Sequence, residues 1–92
     1  MAVIDPEHYA PFSTFFPELT PLQSKQVCLL AFNHLTVEEL AEFRGVSVNT
    51  VRESMSAAQK KLRVNSIKDL KIVVTLRVLE KLGLAISQKY NS

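Results

Sequence analysis

The chain has 92 residues, of which 47% are hydrophobic and 22% are charged, with a net charge of +2 at neutral pH. A chain of this length and composition folds as one small soluble domain, and no apolar run approaches the roughly 20 residues that span a bilayer. The first residues, MAVIDPEHYA, lack the basic start and apolar core of a signal peptide, and a single cysteine excludes an internal disulfide. We therefore expect a cytoplasmic protein without a membrane partner.

The charges are distributed unevenly along the chain. Residues 1–43 carry six acidic side chains and one basic one, whereas residues 44–71 carry seven basic side chains and two acidic ones. The first segment therefore has a net charge of −5 and the second a net charge of +5. This asymmetry indicates a half that faces a polyanion; a solvated basic surface with chance clustering is the alternative.

Residues 1–19 form an N-terminal arm that differs in composition from residues 20–92, which we interpret as the folded domain. The arm contains three prolines and four aromatic residues: Pro6, Pro11, Pro17, Tyr9, Phe12, Phe15 and Phe16. Prolines at this density exclude a long helix, and the aromatic rings argue against a free tail because each gains from burial. We predict an arm or short helix packed on the domain or across a dimer; a partner-binding strip is the alternative.

Four helix starts follow, each with a capping signal. Thr20 and Thr36 each open a capping-box pattern, and Ser47 can cap a helix just after a Gly-Val turn. Ser66 is followed by an acid in the first turn, and Gly83 stands where a C-terminal stop is expected. No stretch alternates with a period of two, so the predicted fold is all-α, with helices near residues 21–33, 37–44, 48–62 and 67–82.

The third predicted helix has the most regular pattern. A single apolar stripe contains Val48, Val51, Met55, Ala58 and Leu62. The opposite side is polar, with medium-length side chains in its first turns and basic side chains in its last turn: Asn49, Arg52, Glu53, Ser56, Gln59, Lys60 and Arg63. An ordinary surface helix mixes acids and bases along its outer face, so this face is a candidate contact surface.

A short Thr-capped helix, a Gly-Val-Ser turn and a longer helix with a polar face make a helix-turn-helix pattern. Over TVEELAEFRGVSVNTVRESMSAAQKKLRVNSIKDL the sequence resembles the LuxR-type (GerE/FixJ-like) DNA-binding domain of bacterial transcription regulators. The matching residues are Glu39, Leu40, Ala41, Gly45, Val46, Ser47, Thr50, Val51, Lys61, Leu62, Val64 and Ser66. The resemblance extends more loosely over about residues 19 to 80. Ser54 departs from the family pattern, where many members carry His, and His34 replaces the usual Gly.

The resemblance implies a four-helix domain that binds double-stranded DNA sequence-specifically as a dimer, with helix 48–62 in the major groove. The side chains that would face base edges are Asn49, Arg52, Glu53 and Ser56. Those that would reach phosphates are Thr36, Thr50, Lys60, Lys61 and Arg63. Two alternatives stay open. In the first, Lys60, Lys61 and Arg63 are solvent-exposed basic side chains at a helix end, where the helix dipole favours positive charge. In the second, Glu53 forms a local ion pair with Arg52 or Lys60.

The last predicted helix carries more apolar residues than one small core can cover: Leu70, Val73, Val74, Leu76, Val78, Leu79 and Leu82. Exposed apolar area of this kind marks an interface, and the resemblance implies dimerisation through this helix. We predict a homodimer interface, with the phenylalanines of the arm at its edge, that includes Val73, Leu76, Arg77 and Glu80. A heterodimer with another LuxR-type regulator is the alternative.

The sequence does not predict an enzyme, a cofactor, a metal site or a small-molecule ligand. Cys28 lies in the apolar run VCLLAF, as expected for a buried structural thiol. His8 and His34 have no acid or thiol at the spacing of a catalytic triad or a metal site. Nineteen residues are also too few for the sensor domain that typical relatives carry ahead of this one, so the chain resembles the stand-alone members.

We therefore expect a stand-alone transcriptional regulator that binds DNA as a dimer. The alternative is a protein-interaction module, a co-regulator or anti-activator that pairs with a larger LuxR-type regulator without reading DNA itself. Glu53, the modest net charge and the apolar last helix favour this alternative.

Overall fold

The computed structural model of the protein describes residues 5–91, and over this range all regular secondary structure is helical, without a strand. The elements in chain order are a 3₁₀ helix (Pro6–Phe15), α1 (Pro21–Phe32), α2 (Val37–Arg44), α3 (Val48–Leu62) and α4 (Ile67–Asn91). The prediction of an all-α fold is confirmed. None of these helices, in the part of the chain that the structure describes, has both the length and the apolar character of a membrane-spanning segment.

The four α-helices begin where their capping signals predict. The Thr20 hydroxyl accepts a hydrogen bond from the backbone N–H of Gln23, and the Gln23 side chain accepts one from the backbone N–H of Thr20, both at 3.1 Å. Thr36 and Glu39 form the same reciprocal pair at the start of α2, with both bonds at 3.0 Å. Each box stabilises its helix start because it satisfies N–H groups that have no acceptor within the helix.

The predicted end of α4 at residue 82 is wrong, because the helix continues through Gly83 to Asn91. A glycine ends a helix when it adopts left-handed backbone angles. Gly45 does so, with a φ of 69°, whereas Gly83 has no positive φ. The following residues, LAISQKYN, contain no proline, and a glycine inside a helix costs only about 1 kcal/mol relative to alanine. Helical propensity on both sides therefore carries the helix through Gly83.

The N-terminal arm packs on its own domain. The ring of Tyr9 stacks on that of Phe32 in α1, with centroids 5.9 Å apart, and the Tyr9 hydroxyl donates a hydrogen bond to the Asn33 side chain. Phe16 follows the 3₁₀ helix and is completely buried. Among the described elements, the 3₁₀ helix contacts α1 and α4 but not α3. From residue 5 onward, the arm therefore leaves α3 uncovered.

One hydrophobic core joins the arm to the four α-helices. The helix α1 lies at its centre and contacts each of the other described elements. A polar contact also links α1 to α3, because the Ser54 hydroxyl donates a hydrogen bond of 2.8 Å to Oε1 of Gln26. These contacts hold α3 from one side, so its other side faces solvent.

Candidate nucleic-acid interface

A tight turn ends α2 and sets the direction of α3. Gly45 has left-handed angles (φ 69°, ψ 34°), and its N–H and that of Val46 donate to carbonyls in the last turn of α2, at 3.1 and 3.0 Å. This pair of bonds is a Schellman motif, which favours glycine because a Cβ atom is strained at positive φ. The Ser47 hydroxyl then caps α3 by accepting from the N–H of Thr50 at 3.1 Å.

The helix α3 has one buried edge and one exposed edge. Val51, Met55 and Ala58 are at most 1% exposed. The four side chains predicted to face bases lie on the opposite edge, and all are exposed: Asn49, Arg52, Glu53 and Ser56. Steps of three and four residues place neighbours on one helix face, so the structure brings these four side chains into a single stripe two turns long.

Within this stripe, Arg52 already has a partner. Its Nη2 donates to Oε1 of Glu38, on α2, at 3.1 Å, and both side chains are 61% exposed. A backbone hydrogen bond and the Arg52 guanidinium hold the pKa of Glu38 below its usual value. Glu53 forms no ion pair within residues 5–91, so the local pair with Arg52 or Lys60 that the sequence left open is absent there.

Two of the residues predicted to reach phosphates are threonines at helix starts. Thr36 is the N-cap of α2, and Thr50 lies in the first turn of α3, where its hydroxyl is 2.8 Å from that of Ser47. Both threonines are exposed. The first turn of a helix presents backbone N–H groups and a partial positive charge, so both positions suit an anionic oxygen.

The three basic side chains predicted to reach phosphates, those of Lys60, Lys61 and Arg63, lie at the end of α3, and all are exposed. Lys60 continues the stripe, whereas Nζ of Lys61 donates to Oε1 of Gln23 at 2.9 Å and links the end of α3 to the start of α1. Arg63 ends the helix in a left-handed conformation, with a φ of 60°. These basic side chains also complement the negative end of the helix dipole, so the alternative that they only stabilise a solvent-exposed helix end stays open.

A groove of about 470 Å³ lies beside the stripe, between α2, α3 and α4. Arg52 and Ser56 line it from α3, Glu38 from α2 and Lys71 from α4. The sequence did not single out Glu38 or Lys71 as site residues. Helical periodicity relates residues within one helix, whereas these two reach the site from neighbouring helices, so no signal in the sequence pattern identifies them.

The residues predicted for a dimer interface lie together on α4. Val73, Leu76, Arg77 and Glu80 line a cleft of about 470 Å³ between α4 and the end of the arm, where Phe15 is also found. Leu76 is 60% exposed, Glu80 is exposed, and the other two are partly buried. The cleft therefore has an apolar wall that faces solvent in the single chain.

Arg77 is engaged within its own chain. Its Nη1 donates to Oε1 of Glu18 at 2.7 Å and to the Phe15 carbonyl at 3.3 Å, and its guanidinium lies over the Phe16 ring, 5.2 Å from the centroid. The hydrogen bond from Arg77 lowers the pKa of Glu18. Arg77 therefore attaches the end of the arm to α4.

The cysteine predicted to be a structural thiol is completely buried. Burial raises the pKa of Cys28 to about 12, which keeps the thiol protonated at neutral pH and makes it a poor nucleophile. Among the residues that the structure describes, no group of three or more histidine, cysteine or acidic side chains could hold a metal ion.

Comparisons with known proteins give no match: no family model, no curated protein and no solved structure matches this chain.

Proposed function

We propose that this protein is a cytoplasmic, stand-alone transcriptional regulator of the LuxR type that binds DNA sequence-specifically as a dimer. The observation that carries the proposal is the exposed polar stripe of α3, which lies opposite an edge that is almost completely buried. The major groove of B-DNA is about 12 Å wide and admits one α-helix. A helix anchored along one edge, with polar side chains along the other, has the form that this groove accepts.

The stripe carries side chains that can distinguish base pairs. An arginine can donate two hydrogen bonds to guanine, an asparagine can pair with adenine, and a glutamate can accept from the amino group of cytosine. Arg52, Asn49 and Glu53 supply these three groups within two turns, with Ser56 beside them. Thr36, Thr50, Lys60, Lys61 and Arg63 then serve as the phosphate contacts that fix the helix in register.

The backbone at His34 also supports the resemblance to LuxR-type domains. The family pattern has glycine at this position, and His34 has a φ of 56°, which glycine adopts at lower cost than other residues. A backbone conformation that favours glycine at this position agrees with the glycine of the family pattern.

A second candidate function, the protein-interaction module, is favoured by the contact between Arg52 and Glu38. The best candidate for reading a base is paired with a carboxylate on α2, and Glu53 places another negative charge on the same stripe. Two acids at the centre of the surface repel phosphate. On this reading α3 contacts a larger regulator, and α4 contributes the apolar part of the interface.

Selection of bound fragments from a random pool of duplex DNA, followed by titration of a selected fluorescent duplex at several salt concentrations, tests the proposal. Three basic phosphate contacts in each of two chains predict a slope of about −5 in a plot of log affinity against log salt concentration. A folded, self-associating chain with no DNA affinity at moderate salt would instead identify an interaction module.

A matched pair of variants tests whether α3 makes the contact. Lys60→Gln removes one predicted phosphate contact from each chain, so the slope should become shallower by about 2. Lys89→Gln removes the same charge near the C-terminal end of α4 and should leave the slope unchanged. Equal effects of the two substitutions would show that the binding follows overall charge and not the face of α3.

A further inference from the structure

Seven large apolar side chains of α4 are exposed, and Leu82 and Leu84 lie to the sides of a stripe formed by the other five. The five are Ile72, Leu76, Leu79, Ile86 and Tyr90, which are 47–78% exposed. With Gly83, which is also exposed, they are separated by alternating steps of four and three residues. This is the spacing of the a and d positions in a coiled coil, and it continues for about two and a half heptads. We call these six residues the α4 seam.

The seam is separate from the face that holds α4 to the domain. Leu70, Val74 and Val78 are at most 3% exposed and pack into the core. At 3.6 residues per turn they lie on the opposite side of the helix from the seam. Every residue from 79 to 90 is exposed, so the C-terminal half of α4 extends beyond the core. The seam measures about 27 Å from Ile72 to Tyr90.

We propose that α4 pairs through this seam with α4 of a second copy of the chain, as a parallel two-stranded coiled coil. The proposal rests on the proposed function, from which it takes the number of two copies. It adds which residues form the interface of that dimer and that the two α4 helices run in the same direction. It changes the sequence-based interface, since Leu76 lies in the seam, Val73 and Glu80 flank it, and Arg77 points to the arm of its own chain.

The charges beside the seam favour the parallel orientation. In a parallel pair, Glu80 lies opposite Thr75 of the second copy, and Leu82 lies opposite Ser87. An antiparallel pair that aligns all six seam positions brings Glu80 against Glu80 of the second copy, and like charges in this position are destabilising. A parallel pair also places both domains at the same end of the coil, so that two α3 helices can contact one DNA duplex.

The side chains of the seam do not by themselves specify two strands. In an isolated coil, leucine at a positions with isoleucine at d positions, as at Leu76, Ile72 and Ile86, favours three or four strands. The number of two follows from the dimer of the proposed function, and α1 and α3 cover the opposite face of α4 as far as Val78, so the seam is the side left for that partner. Gly83 leaves a gap in the seam, so Gly83→Leu should lower the dissociation constant of the dimer.

Sedimentation equilibrium without DNA, over a wide range of protein concentration, tests the seam. The wild-type chain should reach the mass of two chains and no more. Leu79→Asp should raise the dissociation constant at least tenfold, whereas Leu84→Asp should change it less than twofold. Both leucines are exposed, at 61% and 50%, but Leu84 lies outside the seam. A wild-type monomer throughout, a mass above two chains, or equal effects of the two substitutions would overturn the proposal.

Disulfide cross-linking tests the orientation. The thiol of Cys28 is buried and does not take part in disulfide formation. Ile86→Cys therefore introduces a single reactive cysteine in the seam, and Leu84→Cys introduces one just outside it. A parallel coil predicts rapid formation of a disulfide dimer by the first variant and slow formation by the second. Equal rates, or a dimer that Ile86→Cys does not cross-link, would rule out the parallel pair.

Neither experiment contains DNA, so their outcomes separate the two proposals. A chain that dimerises through the seam but binds no duplex retains this inference and loses the proposed function. A chain that is monomeric without DNA but binds the duplex with a slope of about −5, as expected for two chains, retains the proposed function and loses this inference.

Discussion

The helices α3 and α4 each have a buried edge and an exposed edge, but their exposed edges differ in chemistry. The exposed edge of α3 carries Asn49, Arg52, Glu53 and Ser56, whereas that of α4 carries isoleucine, leucine and tyrosine. A polar edge is stable in water and gains from a partner that replaces its hydrogen bonds. An apolar edge gains from any partner that excludes water, at about 25 cal/mol per Å². The difference indicates a charged or polar partner for α3 and an apolar partner for α4.

The largest expected effect tests the division of α3 into two edges. Met55 is 1% exposed, so Met55→Ala should lower the free energy of unfolding by about 2–5 kcal/mol, through lost burial and the cavity left behind. The next residue, Ser56, is exposed, and Ser56→Ala should change stability by less than about 0.5 kcal/mol. Urea unfolding measures both. Similar losses for the two variants would contradict the orientation of α3.

The next effect concerns the polar edge. Arg52→Ala should weaken binding to a selected DNA duplex by about 1–3 kcal/mol and relax discrimination at one base pair. Glu38→Gln should tighten binding, because it frees the Arg52 guanidinium and removes a negative charge beside the groove. Fluorescence anisotropy with the selected duplex and its single-base variants measures both effects.

Glu42→Gln is the control for Glu38→Gln. Glu42 is exposed on the same helix, and the structure gives it no ion pair with Arg52, so its removal changes the charge without freeing the guanidinium. If Glu38→Gln has no more effect than Glu42→Gln, Arg52 does not need to leave Glu38 to bind DNA. If Arg52→Ala changes neither affinity nor preference, Arg52 does not read a base.

A smaller effect compares the glycine that precedes α3 with the one inside α4. At both Gly45 and Gly83 an added Cβ would meet no atom within 4 Å, so only the backbone differs. Gly45→Ala should destabilise the fold by about 1 kcal/mol because its φ is positive, whereas Gly83→Ala should stabilise it by about 0.5–1 kcal/mol because it favours the helix. Unfolding at a concentration where the chain is monomeric gives both values. The same sign for both variants would contradict this assignment.

The smallest effect concerns the contact that attaches the arm to α4. The pKa of Glu18 is lower in the folded chain than its ordinary value of 4.5, so its ion pair with Arg77 contributes fully above that pH. The contribution is lost as the pH falls through the lower folded pKa. Because about a third of the Glu18 side chain is exposed, we expect at most about 1 kcal/mol. Unfolding of the wild type and Glu18→Gln from about pH 6 to about pH 3 measures it; a constant difference would contradict the ion pair.

Much of the local structure was predictable because its causes lie within a few residues. Thr20, Thr36 and Ser47 each accept from the N–H group three residues ahead, so the starts of these α-helices could be read from the sequence. The spacing of Val51, Met55 and Ala58 likewise predicted which edge of α3 is buried. The exposure of the opposite stripe follows from the same periodicity, whereas its role in binding DNA stays a prediction.

The same local rules failed at Gly83, because a glycine is compatible with both a helix end and a helix interior. Whether the helix continues through Gly83 depends on the small helix propensities of the surrounding residues, summed over the whole segment. The continuation of α4 decides how far the seam extends, so an error of one helix end changes the expected interface.

Capping and periodicity are set by neighbours in the chain, and they gave this protein its helical elements, its helix starts and the two edges of α3. The contacts of Arg52 with Glu38 and of Arg77 with Glu18 and Phe15 depend on how separate elements pack. These partners lie 14, 59 and 62 residues apart in the chain, a separation over which sequence spacing carries no information about distance in space. Packing around the shared core therefore decided which basic side chains have intramolecular partners and which apolar face of α4 stays exposed.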